Sequence, residues 1–142
     1  DTWDGYPWAR QRLYDQCRGL GVQDLIVMTG DSHSFWANTL RDNEKHSMGV
    51  EIGTSGITSP GDFIEQGFDA DTASRIDQAL IDQAPDIVWT SNRYQGYVRL
   101  TVSREDLKAD YVAVSTVTES TWDVKTVKSK RITRTGNTVA FS

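Results

Sequence analysis

The segment Leu25-Ile26-Val27-Met28, carried through Thr29 into the turn Gly30-Asp31-Ser32-His33, limits the fold of this chain more than any other stretch. Its length suits a strand, and its uninterrupted apolar character is that of a strand covered on both faces by helices. A helical pattern precedes it by a short link, so the expected class is α/β. In such sheets binding sites collect at the carboxyl ends of strands, which puts the first candidate chemistry in the turn after Thr29.

That turn holds a carboxylate and an imidazole two positions apart. Residues i and i+2 share a face along a strand and can still converge on one centre in the turn behind it. Asp31 and His33 are therefore candidate ligands of a single cation. A carboxylate is a hard donor suited to calcium, magnesium, manganese or ferric iron, and an imidazole also suits zinc and iron, so the pair leaves the metal open. Two ligands do not complete a hydrolytic centre, which needs further donors from other strand ends. The residues alone also allow a plainer reading, in which Asp31 caps a turn and His33 is an ordinary half-buried histidine. The other histidine, His46, lies in the polar run Arg41-Asp42-Asn43-Glu44-Lys45 and reads as surface.

At 142 residues, with 37% hydrophobic and 25% charged residues, the chain has the material for one globular domain. It contains no run of about 18 apolar residues and no basic-then-apolar start, so neither a membrane span nor an export signal is read from it. The lone Cys17 rules out an internal disulfide and reads as a structural thiol. All twenty acidic residues lie at or before Asp123, whereas residues 124–142 carry five basic residues and no acid. An acidic body lacks the footprint for nonspecific nucleic-acid binding. The basic end mixes β-branched residues with lysines and is expected as an exposed or edge strand.

The periodicities predict a first helix from about Gly5 to Arg18, capped by Asp4 and burying Tyr6, Ala9, Leu13, Cys17 and Leu20. After the Leu25–Thr29 strand comes a long loop, then a strand over Met48–Gly53. The loop Thr54–Gly61 reads as a turn-rich connection, with phosphate cradling as the weaker option. A second helix is expected over Thr72–Gln83, stopped by Pro85. Strands follow at Asp86–Thr90, Gly96–Val102 and Leu107–Val117, and the tail adds a hairpin at Gly136-Asn137.

Four motifs in this order, Asp1-Thr2-Trp3-Asp4-Gly5-Tyr6-Pro7, Gly30-Asp31-Ser32-His33-Ser34-Phe35-Trp36-Ala37, Gly53–Gly61 and Gly96-Tyr97-Val98-Arg99-Leu100, resemble the carboxy-terminal part of PhoD-like alkaline phosphatases. The resemblance touches nearly all the chain up to Val117. It implies the carboxy-terminal portion of a metallophosphoesterase-type β-sandwich flanked by helices and ending in β-hairpins, with residues 1–142 as part of one domain. It further implies phosphoester hydrolysis, calcium and iron as cofactors with other divalent metals possible, a small phosphoester as substrate, and export from bacterial cells. By motif, Asp31 and His33 match the family's late metal-ligand pair, and Trp3, Asp4, Tyr6 and Ser34 match positions bordering the substrate cleft.

The family's earlier ligands, a cysteine, further aspartates and an asparagine, belong upstream of the region matching Asp1. The chain therefore reads as a fragment with little or no phosphatase activity of its own. Two other functions compete with the hydrolase: a metallophosphoesterase-like scaffold that has lost catalysis, and a metal- or carbohydrate-binding β module. For the last, Trp3, Trp8, Trp36, Trp89 and Trp122 would be stacking platforms, although their dispersal favours structural roles.

Overall fold

A computed structural model describes residues 3–142, apart from the side chain of Asp4. Two four-stranded sheets pack face to face. The first is mixed, with strand β1 (Leu25–Thr29) parallel to β3 (Ser47–Gly53), and β2 (Phe35–Arg41) antiparallel to both β3 and β4 (Ile87–Ser91), in the order β1-β3-β2-β4. The second is antiparallel, with β5 (Gly96–Val102), β6 (Asp106–Val114), β7 (Val124–Thr135) and β8 (Thr138–Phe141) in chain order. This is the expected mixture of α and β built on two sheets, with β5–β6 and β7–β8 as the closing hairpins.

Burial in one shared core joins the sheets. Phe35, Ala37, Val50 and Ile52 from the first sheet pack with Leu107, Ala109, Tyr111, Ile132 and Val139 from the second. On β6 the residues facing the core alternate with polar ones, as a half-covered sheet requires. Tyr111 is the hub: its ring lies edge-on to Phe35 at 5.5 Å and to Trp89 at 4.7 Å. Rings in this geometry add to the area they bury.

Three helices accompany the sheets. Helix α1 (Pro7–Gly19) follows a 3-10 turn over Trp3–Gly5, α2 (Asp62–Glu65) is a single turn, and α3 (Ala70–Gln83) packs against β4. Asp69 caps α3, its side chain accepting the Thr72 N–H at 2.7 Å. No helix among the described residues is long and apolar enough to cross a membrane.

Four expectations are corrected. First, Phe35–Arg41 forms strand β2 where a loop was expected, its Phe35 and Ala37 reaching the core at the two-residue period of a strand. Second, α1 begins at Pro7 with Tyr6 in the N-cap position and no side-chain cap. Third, the expected apolar face of α1 is not its buried one: Leu13 and Leu20 are exposed, and Tyr14 is buried instead. The face carrying Gln11, Tyr14 and Arg18 turns toward the β2–β3 hairpin, where Gln11 accepts the Asn43 N–H and Arg18 pairs with Asp42. Fourth, β1 is an edge strand among the described residues and is covered on one side only. Its Leu25 and Val27 are half-buried, while Ile26 and Met28 are exposed.

The other expected elements are present, with β6 ending at Val114 instead of Val117 and the single turn α2 as an addition. The basic segment is a largely exposed strand, β7, paired with β6 along its length and with β8 only over Ile132–Thr135. Its first two-thirds is thus a sheet edge studded with lysines, which disfavours pairing with another chain.

Candidate metal centre

The parallel pairing of β1 with β3 delivers Thr29 and Gly53 to the same end of the first sheet. Gly49, opposite Leu25, allows it: a Cβ there would run into the Leu25 backbone. Beyond Thr29 the chain makes a tight turn, closed by the Ser32 N–H donating to the Gly30 carbonyl at 2.9 Å. Asp31 and His33 adopt left-handed backbone conformations, with φ of 72° and 51°. Such conformations are costly for residues other than glycine and cluster where a site over-determines the backbone.

The turn is held from every side. The Trp36 indole N–H donates to the Ser32 hydroxyl at 2.8 Å, and the Gln95 amide donates to the His33 carbonyl at 3.2 Å. Ser34 is buried, and its hydroxyl donates to Asn92 Oδ1 at 2.5 Å. Asn92 in turn donates its backbone N–H (3.0 Å) and side-chain amide (2.5 Å) to Asp77 Oδ1, on α3. Burial pushes the Asp77 carboxyl above its ordinary pKa, outweighing the two hydrogen bonds from Asn92. A buried chain from α3 through β4 to the turn thus fixes the residue next to His33.

Among the described residues the ring of His33 has one hydrogen-bond partner. Its Nδ1 lies 2.9 Å from Oδ1 of Asp62, the first residue of α2. In the tautomer with its proton on Nδ1, the ring would donate to this carboxylate and leave the Nε2 lone pair for a cation. Among the described residues neither Nε2 of His33 nor the carboxylate of Asp31 has a hydrogen-bond partner, and both side chains belong to residues that reach solvent. In donor chemistry the residues suit a cation: a hard carboxylate, an imidazole, and a second carboxylate beside the ring's Nδ1. Asp62 is a partner of His33 that sequence reasoning did not single out. It lies 29 residues from His33, and no spacing rule links the two; the loop Thr54–Gly61 brings it there.

The other sequence-derived candidates divide. Trp3 and Tyr6 are exposed on the segment entering α1, and no hydrogen bond among the described residues joins them to the turn. The side chain of Asp4, like residues 1 and 2, lies outside the described structure. Ser34 faces inward and supports the turn, so its hydroxyl is not offered to a ligand beside it. The hydrogen bond from the Gly96 N–H to the Gly56 carbonyl ties Thr54–Gly61 to β5, as a plain connection would be. Cys17 is free and half-buried. Trp89 packs into the aromatic core, whereas Trp3, Trp8 and Trp122 are exposed.

A second cluster has metal-like spacing. Ligand atoms of Asp42, Glu44 and His46 lie within 4.8 Å of one another in the β2–β3 hairpin. Asp42 is already saturated, however. It accepts the backbone N–H groups of Glu44 and His46, each at 2.9 Å, and pairs with the Arg18 guanidinium and with His46 Nδ1. Burial opposes the Asp42 charge, but the bonds from His46 and Arg18 prevail and hold its pKa below the ordinary carboxylate value. An arginine stands where a cation would stand, and the cluster reads as a turn brace. His46 itself is exposed, as expected.

Comparison with known proteins identifies the family of the chain. The family described as PhoD-like phosphatase matches residues 1–111. The chain is 37% identical to alkaline phosphatase D of Bacillus subtilis (strain 168) over 123 residues, which is 84% of this chain and 20% of that protein. It also superposes on a solved structure described as "Structure of PhoD" with a TM-score of 0.77 and 34% identity, over 99% of this chain and 26% of the other. The chain thus spans about a fifth to a quarter of the length of the relatives it matches. On this match and the sheet architecture that carries it, the chain belongs to the PhoD-like phosphatase family.

Proposed function

We propose that the protein carrying this chain is a metal-dependent phosphoester hydrolase in which Asp31 and His33 are two donors to the catalytic cation centre. The observation that supports it most is the preorganised turn: two left-handed residues present a carboxylate with no hydrogen-bond partner among the described residues and an imidazole whose Nδ1 is bonded to Asp62. The turn also sits at the strand end where α/β folds gather their sites. Calcium and ferric iron are the proposed ions, on the family resemblance and on the hardness of the Asp31 donor. Such a centre, when bound, stabilises charge on the phosphoryl oxygens and supplies an activated water.

The residues of this chain contribute position and charge. Asp31 would offset cation charge, and His33 would add a neutral donor that leaves a bound centre electrophilic. The clamps through Gln95, Ser34 and Trp36 hold the turn in place as an anionic phosphoester approaches. Trp3, Asp4 and Tyr6, on the segment before α1, are proposed to border the small phosphoester substrate. Two donors do not complete a hydrolytic centre, so this chain alone is proposed to have little or no phosphatase activity. Export from the bacterial cell is proposed on the resemblance.

Asp31→Asn and His33→Ala in the full-length protein test the reading. Each is expected to lower metal content, measured by elemental analysis, together with turnover of p-nitrophenyl phosphate by about 100-fold or more. Unchanged metal content and turnover in both variants would refute the assignment.

A further inference from the structure

We infer that Asp62 is a positioning residue for the metal centre: it accepts the Nδ1 proton of His33 and thereby fixes Nε2 as the nitrogen offered to the cation. The inference rests on the proposed role of His33 and adds a residue that neither its motif nor its spacing indicates.

Three observations carry it. The Nδ1···Oδ1 separation of 2.9 Å is that of a charge-assisted hydrogen bond. The approach is built into the backbone, because Gly61 is buried against Asn92 and Gln95. A Cβ at that position would strike the Gln95 amide nitrogen, the same group that donates to the His33 carbonyl. Gln95 thus holds the His33 backbone while touching the glycine that delivers Asp62 to the His33 ring. Finally, Asp62 is committed in no other ion pair among the described residues. An imidazole bound to a cation through one nitrogen commonly donates its other N–H to a carboxylate, which orients the ring and raises its basicity.

The test uses the full-length protein, stripped of metal and titrated with Co²⁺ followed by its visible absorption. Asp62→Ala is expected to weaken Co²⁺ binding about 10- to 100-fold and to alter the ligand-field spectrum. Asp62→Asn, which keeps an oxygen acceptor, is expected to recover much of that loss. Because Asp62 is half-exposed, the metal-free thermal unfolding temperature is expected to stay within about 2 °C in both variants. In a His33→Ala background, Asp62→Ala is expected to have no further effect.

If His33→Ala leaves Co²⁺ binding unchanged, the metal role of His33 fails, and this inference fails with it. If His33→Ala weakens binding but Asp62→Ala does not, only the positioning role is overturned. An equal loss from Asp62→Ala with and without His33, or an Asp62→Asn variant no better than the alanine, would likewise overturn it.

Discussion

Tyr111, at the centre of β6, donates its hydroxyl to the main-chain carbonyl of Trp36 on β2 at 2.8 Å, joining the second sheet to the first two residues past Ser34. Burial pushes the Tyr111 phenol well above its usual pKa, with the nearby Glu51 charge adding to the effect. Burial thus favours the protonated, donating form of the hydroxyl. Tyr111→Phe keeps the aromatic packing and removes only this bond. It is expected to cost about 1 kcal/mol in chemical denaturation, and a loss-free variant would show that the bond does not couple the sheets.

Asp77 gives a pH-dependent prediction. Its folded pKa is raised by burial, so its contribution to stability is complete below the unfolded carboxylate value and is lost as pH rises through the folded value. Asp77→Asn retains an oxygen for the Asn92 donors without a buried charge. Relative to wild type, it is expected to be neutral or stabilising at pH 7, with that advantage shrinking toward pH 4. Asp77→Ala leaves the Asn92 donors unpaired and is expected to cost about 2–3 kcal/mol. Thermal unfolding across pH checks both.

Asp110 behaves in the opposite sense. Hydrogen bonds from Lys108 and Ser129, and a third from Arg99, outweigh burial and hold its pKa at about 2. The stability it gives the second sheet is present above the unfolded value and is lost as pH falls through the folded one. Asp110→Asn is expected to cost roughly 1–2 kcal/mol at neutral pH, because Lys108 and Arg99 reach solvent and are partly screened. The deficit is expected to fade below about pH 3, read from denaturation at several pH values.

Gly61→Ala tests how Asp62 is delivered. The added methyl meets Gln95 and lies 3.3 Å from the Asn92 carbonyl. Relief requires Gln95 to move off the His33 carbonyl. A loss of about 1–3 kcal/mol together with weaker metal binding is expected. Gly19→Ala, where the methyl meets nothing within 4 Å, serves as the control.

Much of this arrangement is legible in the chain because local patterns and tertiary structure agree. Leu25–Thr29, Gly96–Val102 and the Gly136-Asn137 turn stand where periodicity and turn chemistry place them. Strand β2 is hidden because Asn38, Thr39 and Arg41 interrupt its apolar alternation, and Ser34-Phe35-Trp36 reads as the tail of a loop motif. The burial of α1 was misread for a different reason. Apolar periodicity identifies a face, but contacts with the Asp42 hairpin chose the face of Tyr14 and Arg18. At the site, Asp31 and His33 are visible as neighbours in sequence, whereas Asp62, Gln95 and Asn92 meet the turn only through sheet topology and loop closure.

The most direct measurement is a crystal structure of the metal-loaded, full-length protein. The Asp31 carboxylate and the His33 Nε2 are expected at about 2.0–2.6 Å from the same bound ion or from adjacent ions of one cluster, with Nδ1 still bonded to Asp62. A loaded centre with both side chains turned away from every ion would contradict the assignment.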